Sequence, residues 1–484
     1  MEKLTLKTKA AYGLAGVGDS ALYTLIGTFL IFFLNAVVGI NPAICGTIAA
    51  VGALWETIWG AIMGYISDNT NSRFGRRKPF LLVVAFPLAV VTSLLFTTVN
   101  LDGSLRVTYY MIMVILFWSG FVSFFVPYLA WGAELTQDYE ERTVLRGYTY
   151  VFNSLGMALG MVLPTVIVDF LMNMDQTLSH GWQATGIFCG ICSGITIFLG
   201  GWMIKDKHEV SKAVFKAKQI AKKKFNLKSV GNAFVDMGKN YWQILKLRSV
   251  RFIVATSIFY LIGYAIFCSS RIYFLTFNMK LGTGQITFVM SLMTFASILF
   301  VPLILSLNKK MDKRSLYICG MGIAVVSMIT LGILGIYSMV TITIYSVLYS
   351  IGSICYWQLV PAMIYDVCEV DQLANNTQRA GLVISLQSLA ESAANAVGLQ
   401  ILGIILQFAG FQAEAKAQAA HTLTWINLSF SVIPALFMLV SIIMVFKYPV
   451  TKQVYNNVLN ALDRKKKGEL VDLDEFSPLI KLKK

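Results

Sequence analysis

The sequence predicts an all-α membrane protein of twelve transmembrane helices arranged as two six-helix, pseudo-symmetric bundles. Three observations carry this. Hydrophobic residues make up 56% of the 484 positions and charged residues only 13%, more apolar surface than a single soluble core could hide. The apolar stretches recur at the length of roughly 20 residues that crosses about 30 Å of hydrocarbon. A strongly basic polar stretch near the middle divides them six and six.

The spans fall near Ala11 to Val37, Ala43 to Ser67, Phe80 to Val99, Val107 to Trp131, Gly147 to Leu171 and Gln183 to Ile204, then Phe252 to Asn278, Gln285 to Leu307, Leu316 to Tyr337, Thr341 to Tyr365, Ala380 to Phe408 and Thr422 to Phe446. Helices are required because backbone polar groups in lipid must be satisfied within their own segment, and the alternating pattern of a membrane strand does not occur. The first apolar run continues without a small-residue cleavage site, so it reads as a span and not as a signal peptide. All seven Cys lie in apolar runs, where they act as small buried residues and offer no disulfide framework.

Charge orients the bundle. Eleven Lys and two Arg stand between Lys205 and Arg251 against Asp206, Glu209 and Asp236, an excess of +10, and from Lys447 onward nine basic residues oppose five acidic ones, +4; together they hold nearly all of the net +15. The even-numbered loops carry the remaining clusters, so both termini and the central stretch are expected on the cytoplasmic side. The expected organisation is a bundle over residues 1–204, a basic cytoplasmic linker over 205–251, a second bundle over 252–447 and a cytoplasmic tail over 448–484. Lys222-Lys223-Lys224 and Lys465-Lys466-Lys467 are read as juxtamembrane clusters facing anionic lipid, with no nucleic-acid partner.

Charges inside spans are the sharpest chemical signal, since a charged side chain at the bilayer centre costs at least about 2.5–3.5 kcal/mol and faces a cavity or a partner. Glu56 sits mid-span with Trp59 three residues on, on the same helix face. Glu391 lies near the middle of span eleven with Gln387 and Asn395 one turn to either side. Asp19 is in the inner half of span one. Arg271, in the outer third of span seven, reads either as a counter-ion for a carboxylated substrate or as a side chain snorkelling outward.

The loops repeat. GYISDNTNSRFGRRKPF after span two has its counterpart in PLILSLNKKMDKRS after span eight, and PYLAWGAELTQDYEERTVLRG after span four in PAMIYDVCEVDQLANNTQRAG after span ten. Gly64, Asp68, Gly75, Arg76, Arg77, Lys78 and Pro79 resemble the loop signature of the major facilitator superfamily. Together with Pro127, Glu134, Leu135, Thr136, Asp138 and Arg142, and with Asp366, Asp371, Arg379 and Gly381, they resemble the glycoside-pentoside-hexuronide:cation symporters. The resemblance runs over the whole membrane portion.

It implies a carrier working by alternating access, and it also shows where this chain departs. Of the two carboxylates one turn apart on helix two in melibiose-type members, the first position is Glu56 and the second is Gly60. A helix-four carboxylate falls on Phe125, a helix-five Arg on Tyr150, a helix-one carboxylate on Ser20 beside Asp19, and a helix-eleven Lys on Glu391 or Ser392. The helix-ten Trp is present as Trp357. Coupling through Glu56, Asp19 and Glu391 is therefore expected, by a proton or by sodium. Trp357, Tyr150 and Trp59 offer ring faces to a sugar, Asn153, Gln387 and Asp19 offer hydroxyl partners, and Arg271 completes the candidate substrate set. Asp68 with Arg73, Arg76 and Arg77, Glu134 with Arg142, and Asp366 with Arg379 are expected as ion pairs that close the inner gate.

No Walker loop, dinucleotide fingerprint or hydrolase elbow is present. Cys189 and Cys192 have redox-pair spacing but lie inside span six without a second pair, and the three His give no metal cluster. The expectation is no enzyme and no cofactor beyond the coupling ion. We expect a plasma-membrane symporter of a sugar, glycoside or sugar acid, functional as a monomer among membrane lipids. The alternative is a lipid or lysolipid translocator on the same fold.

Overall fold

The computed structural model describes residues 4–70, 72, 74–135, 139–204, 241–375, 380–412, 415, 417–466, 474–476 and 479. Its helices are α1 Leu6–Phe32, α2 Pro42–Asn69, α3 Lys78–Leu95, α4 Gly103–Leu135, α5 Tyr139–Met172, α6 Leu178–Met203, α7 Arg248–Tyr273, α8 Thr283–Lys310, α9 Lys313–Leu334, α10 Met339–Asn375 and α11 Ala380–Phe408. The twelfth, α12, runs in two pieces, Ala420–Phe430 and Val432–Phe446, and a further helix, α13, covers Lys452–Lys466. Twelve helices are long and apolar enough to cross a membrane, and no strand occurs among the described residues.

Helix starts follow local chemistry. Thr5 caps α1 by accepting from Thr8 N at 3.3 Å, Thr177 caps α6 through His180 N at 3.3 Å, and Asn41 caps α2 through Ala43 N at 3.0 Å with Pro42 at the first turn. Each supplies an acceptor to amides that have no carbonyl partner within the helix. The helices α4, α5 and α10 outrun the expected spans, α10 by ten residues beyond Tyr365 to Asn375. Hydropathy marks the hydrocarbon-crossing part only, and the backbone ladder continues past it.

The halves repeat at the level of the backbone. After α1 comes a π-helical turn, Phe33–Val37, and after α7 another, Phe274–Asn278. Val38 N donates to Phe33 O at 3.0 Å and Met279 N to Phe274 O at 3.1 Å; Ile40 N donates to Leu34 O at 3.0 Å and Leu281 N to Leu275 O at 3.1 Å. Each turn ends on a left-handed residue, Gly39 at φ 79° and Lys280 at φ 51°, the backbone that closes such a terminus.

By packing, the chain forms two compact units. Unit 1 comprises Met1–Lys222, Cys268–Ser291 and Leu399–Ile426, and unit 2 comprises Lys223–Phe267, Leu292–Gly398 and Asn427–Lys484. Inside unit 1, α1 and α5 meet backbone to backbone. A Cβ on Gly156 would lie 2.3 Å from Val17 O, and one on Gly160, a turn later, 2.3 Å from Ala21 O. Only glycine permits that approach, and in lipid, close packing replaces the hydrophobic drive between helices. The far ends of the later helices join this unit. Tyr273 Oη donates to Ile31 O at 3.1 Å, Thr165 and Thr287 hydroxyls lie 2.8 Å apart, and a Cβ on Gly403 would meet Pro42 O at 2.5 Å and Gly46 Cα at 3.0 Å. Inside unit 2, Tyr317 bonds Ser441 at 2.6 Å and Ser441 donates to Thr256 O at 3.0 Å, a buried chain from α9 through α12 to α7.

Candidate functional site

In unit 1 the carboxyl-bearing helices are α1 and α2. Asp19 is 7% exposed, Glu56 is half-buried, and each carboxyl group is within electrostatic reach of the other. On either side of Glu56 in its helix, Trp55 Nε1 donates to Ser119 Oγ at 2.8 Å and Trp59 Nε1 to Ser123 Oγ at 3.0 Å. The four-residue step is the same on both helices, so the two bonds fix the register of α2 against α4. The indoles stack with ring centres 5.8 Å apart, leaving a paired aromatic face beside the carboxylate. A Cβ at Gly60 would find only Val122 Cγ1, at 3.8 Å, so a side chain there would have space.

Asn153 belongs to the α1–α5 contact. With its amide oriented to donate, Nδ2 reaches Gly16 O at 3.1 Å and Thr149 O at 3.2 Å, and a Cβ on Gly16 would overlap the amide. The absent side chain at Gly16 forms its socket. Tyr150 is 57% exposed, whereas Arg271 is 4% exposed; the guanidinium is enclosed by protein and does not snorkel outward.

Unit 2 has its own polar centre. Gln387 is 4% exposed and its Nε2 donates to Glu391 Oε1 at 3.0 Å. Glu391 lies within electrostatic reach of Tyr356, whose ring stacks on Tyr260 at 3.7 Å. Trp357 meets Tyr264 edge-on at 5.7 Å and is 47% exposed.

At the ends of the bundles near the termini, the charges divide by partner. Lys78 Nζ, in the first turn of α3, donates to Ile204 O at 2.8 Å and Trp202 O at 3.3 Å, capping α6. Arg314, in the first turn of α9, donates to Tyr448 O at 3.2 Å and to Phe446 O, capping α12. These are the same device in the two halves, a cation on the carbonyl-rich end of a helix. Arg77, 4% exposed, donates to Ser67 Oγ at 2.6 Å, and Arg76 is buried. Asp366 is held by Lys313 through both oxygens, at 2.8 Å and 2.7 Å. Arg73 and Arg379 lie outside the described residues, as do the side chains of Asp68, Glu134 and Arg142.

The α13 helix was not legible from hydropathy, because it is amphipathic and not apolar. Val458, Ala461 and Leu462 are buried, Lys452 N donates to Asp312 Oδ1 at 2.7 Å, and Lys465 Nζ donates to Leu373 O at 3.2 Å at the end of α10. The Tyr455 ring lies 5.6 Å from the Lys313 ammonium. Burial and the nearby Glu369 carboxylate hold the Tyr455 phenol above the usual range, so it stays neutral.

A family model described as MFS/sugar transport protein matches residues 11–452. The chain belongs to this family. The membership makes it an integral membrane carrier of the major facilitator superfamily, in its glycoside-pentoside-hexuronide:cation symporter branch, and not an enzyme. It is similar to the uncharacterized symporter YnaJ of Bacillus subtilis, 22% identical over 479 residues covering 98% of each chain. The isoprimeverose transporter of Lactiplantibacillus pentosus is 24% identical over 443 residues, covering 91% of this chain and 88% of that one. Among solved structures, the inward open conformation of the xylose transporter XylE from E. coli superposes with a TM-score of 0.61 at 16% identity, covering 92% of this chain and 96% of that one. The last comparison concerns fold alone.

Proposed function

We propose that the chain is a cation-coupled symporter of a sugar or glycoside, with Glu56 and Asp19 as the coupling pair. The observation that carries this is a buried carboxyl group, Asp19, in the membrane part of unit 1 with a second, Glu56, within electrostatic reach. No Lys or Arg occurs in residues 10–67, 79–105 or 107–131, so α1, α2 and α4 supply no fixed cation near mid-span. Two such carboxylates need a mobile positive charge to be stable in a low dielectric, and a carrier turns that need into coupling by loading the cation together with its solute. The Trp55–Trp59 face beside Glu56 suits an apolar sugar face, and relatives named for isoprimeverose and for glycosides support the class of solute. Both termini and residues 205–251 are assigned to the cytoplasmic side of the cell membrane on the positive-inside rule. Asp366 with Lys313, and Arg76 and Arg77 beside α2, are assigned to the inner gate.

Uptake of a labelled pentose glycoside into proteoliposomes, with a proton gradient or a sodium gradient imposed singly, tests the proposal. Accumulation driven by one of the two supports it. Movement that equilibrates but never concentrates under either gradient, or transfer of labelled lysolipid in place of the glycoside, overturns it.

A further inference from the structure

The centre of unit 2 sets two acceptors of α11 side by side. Glu391 offers two oxygens when ionised, and the donor to it is Gln387 Nε2. That bond fixes the amide so that Gln387 Oε1 becomes a further acceptor beside the carboxylate, and this oxygen is buried without a hydrogen-bond partner among the described residues. Leaving a buried amide oxygen unsatisfied is costly, so the arrangement awaits a donor.

Charge points the same way. Residues 252–267, 292–308, 315–365, 380–398 and 427–446, the membrane-crossing parts of unit 2, contain no Lys, Arg or His. Glu391 has no fixed cation within the spans of its own unit. The neighbours are aromatic. Tyr356, within electrostatic reach of Glu391, packs edge-on against Trp357 at 5.3 Å, and Tyr264 closes the group at 5.7 Å from Trp357. Ring faces next to a carboxylate attract a cation further. An ammonium group matches all three features: it has three donors, no acceptor, and a charge that neutralises Glu391. A carboxylate substituent would be repelled, and an uncharged hydroxyl would leave Glu391 uncompensated.

We propose that Glu391 and Gln387, flanked by Tyr356 and Trp357, receive an ammonium group of the transported solute, so that the substrates of this carrier are amine-bearing, amino sugars among them. The inference rests on the reading of the chain as a small-solute carrier and narrows its substrate class.

The test compares five probes on the full-length protein in detergent and in proteoliposomes: D-glucosamine, its N-acetylated form, D-glucose, D-glucuronate and methylammonium. The wild type should bind D-glucosamine at least tenfold more tightly than the N-acetylated sugar, which keeps the ring and loses the charge. Glu391→Gln should erase that preference, Glu391→Asp should keep part of it, and Trp357→Leu should weaken amine binding several-fold. Equal binding of the amine and its N-acetylated form by the wild type overturns the inference and leaves sugar symport standing; it would return Glu391 to carrying a proton alone. Binding of methylammonium that depends on Glu391, with no sugar bound at all, overturns the sugar reading and keeps the inference. Binding of none of these probes overturns the inference as well.

Discussion

Lys313 Nζ spans both carboxylate oxygens of Asp366, at 2.8 Å and 2.7 Å. The pair joins the start of α9 to the C-terminal part of α10, and the Lys313 side chain keeps 30% of its exposure while that of Asp366 keeps 10%. Lys313→Ala leaves a nearly buried carboxylate without its cation and should lower stability by about 1–3 kcal/mol, less than for a fully buried pair because water reaches the lysine side. Removing both partners in Lys313→Ala with Asp366→Ala should recover part of the loss. Thermal unfolding of Lys313→Ala, Asp366→Ala and the double variant in detergent measures it, and a loss in the double variant equal to the sum of the two single losses would show that the pair contributes nothing.

Glu56→Gln should abolish concentrative uptake while sparing exchange of labelled solute across the membrane. The amide mimics the loaded, neutral carboxyl and cannot release a cation, and exchange never requires that release. Proteoliposomes with solute on both sides separate the two activities. Full gradient-driven accumulation by the variant would remove Glu56 from coupling and leave Asp19 or Glu391.

Gly403→Leu should force α11 away from α2, because even a Cβ would stand 2.5 Å from Pro42 O. Overpacking of this kind costs about 1–3 kcal/mol, drawn here from the conformation in which these helix ends touch. Thr287→Cys, at the neighbouring contact with Thr165, should then react several-fold faster with an impermeant thiol reagent. An unchanged rate would mean that the two contacts open independently.

Gly39 and Lys280 hold equivalent left-handed positions, and this gives paired expectations of opposite sign. Gly39→Ala has open space around its Cβ, so its cost is backbone strain alone, about 1 kcal/mol. Lys280→Gly relieves the same strain and should be neutral to slightly stabilising, offset by the greater freedom of glycine in the unfolded chain. Midpoints of thermal unfolding should move in opposite directions or, for the second variant, not fall.

Ser211→Cys, within the basic linker, should resist an impermeant thiol reagent added outside intact cells and react once the cells are opened. Labelling from outside would reverse the assigned orientation.

The twelve spans could be read directly because hydropathy and length alone decide what lipid tolerates. Glu56, Asp19 and Glu391 stood out for the same reason, as charges where charge is costly. Contacts between distant segments were harder to see. Asp366 is expected beside Arg379, which lies outside the described residues, and the structure adds a partner that the sequence does not mark, Lys313, whose neighbour Arg314 caps α12; two adjacent cations in one loop carry no mark of which is meant for a carboxylate. Asn153 is expected as a hydroxyl partner, and the structure adds a contact with α1 that depends on the missing side chain at Gly16, a feature of pairing and not of either helix alone. The register of Trp55 and Trp59 on Ser119 and Ser123 is visible only once α2 and α4 are known to touch.

The caps made by Lys78 and Arg314 end on carbonyl oxygens, and a carbonyl has no proton to gain at any pH a cell meets. The grip of Lys313 ends on a carboxylate, which acid can neutralise and salt can compete with. Each half of the carrier is thus riveted at one helix end, and α9 is in addition buttoned to α10, so acid or salt should loosen α9 from α10 while leaving α3 with α6, and α9 with α12, fastened.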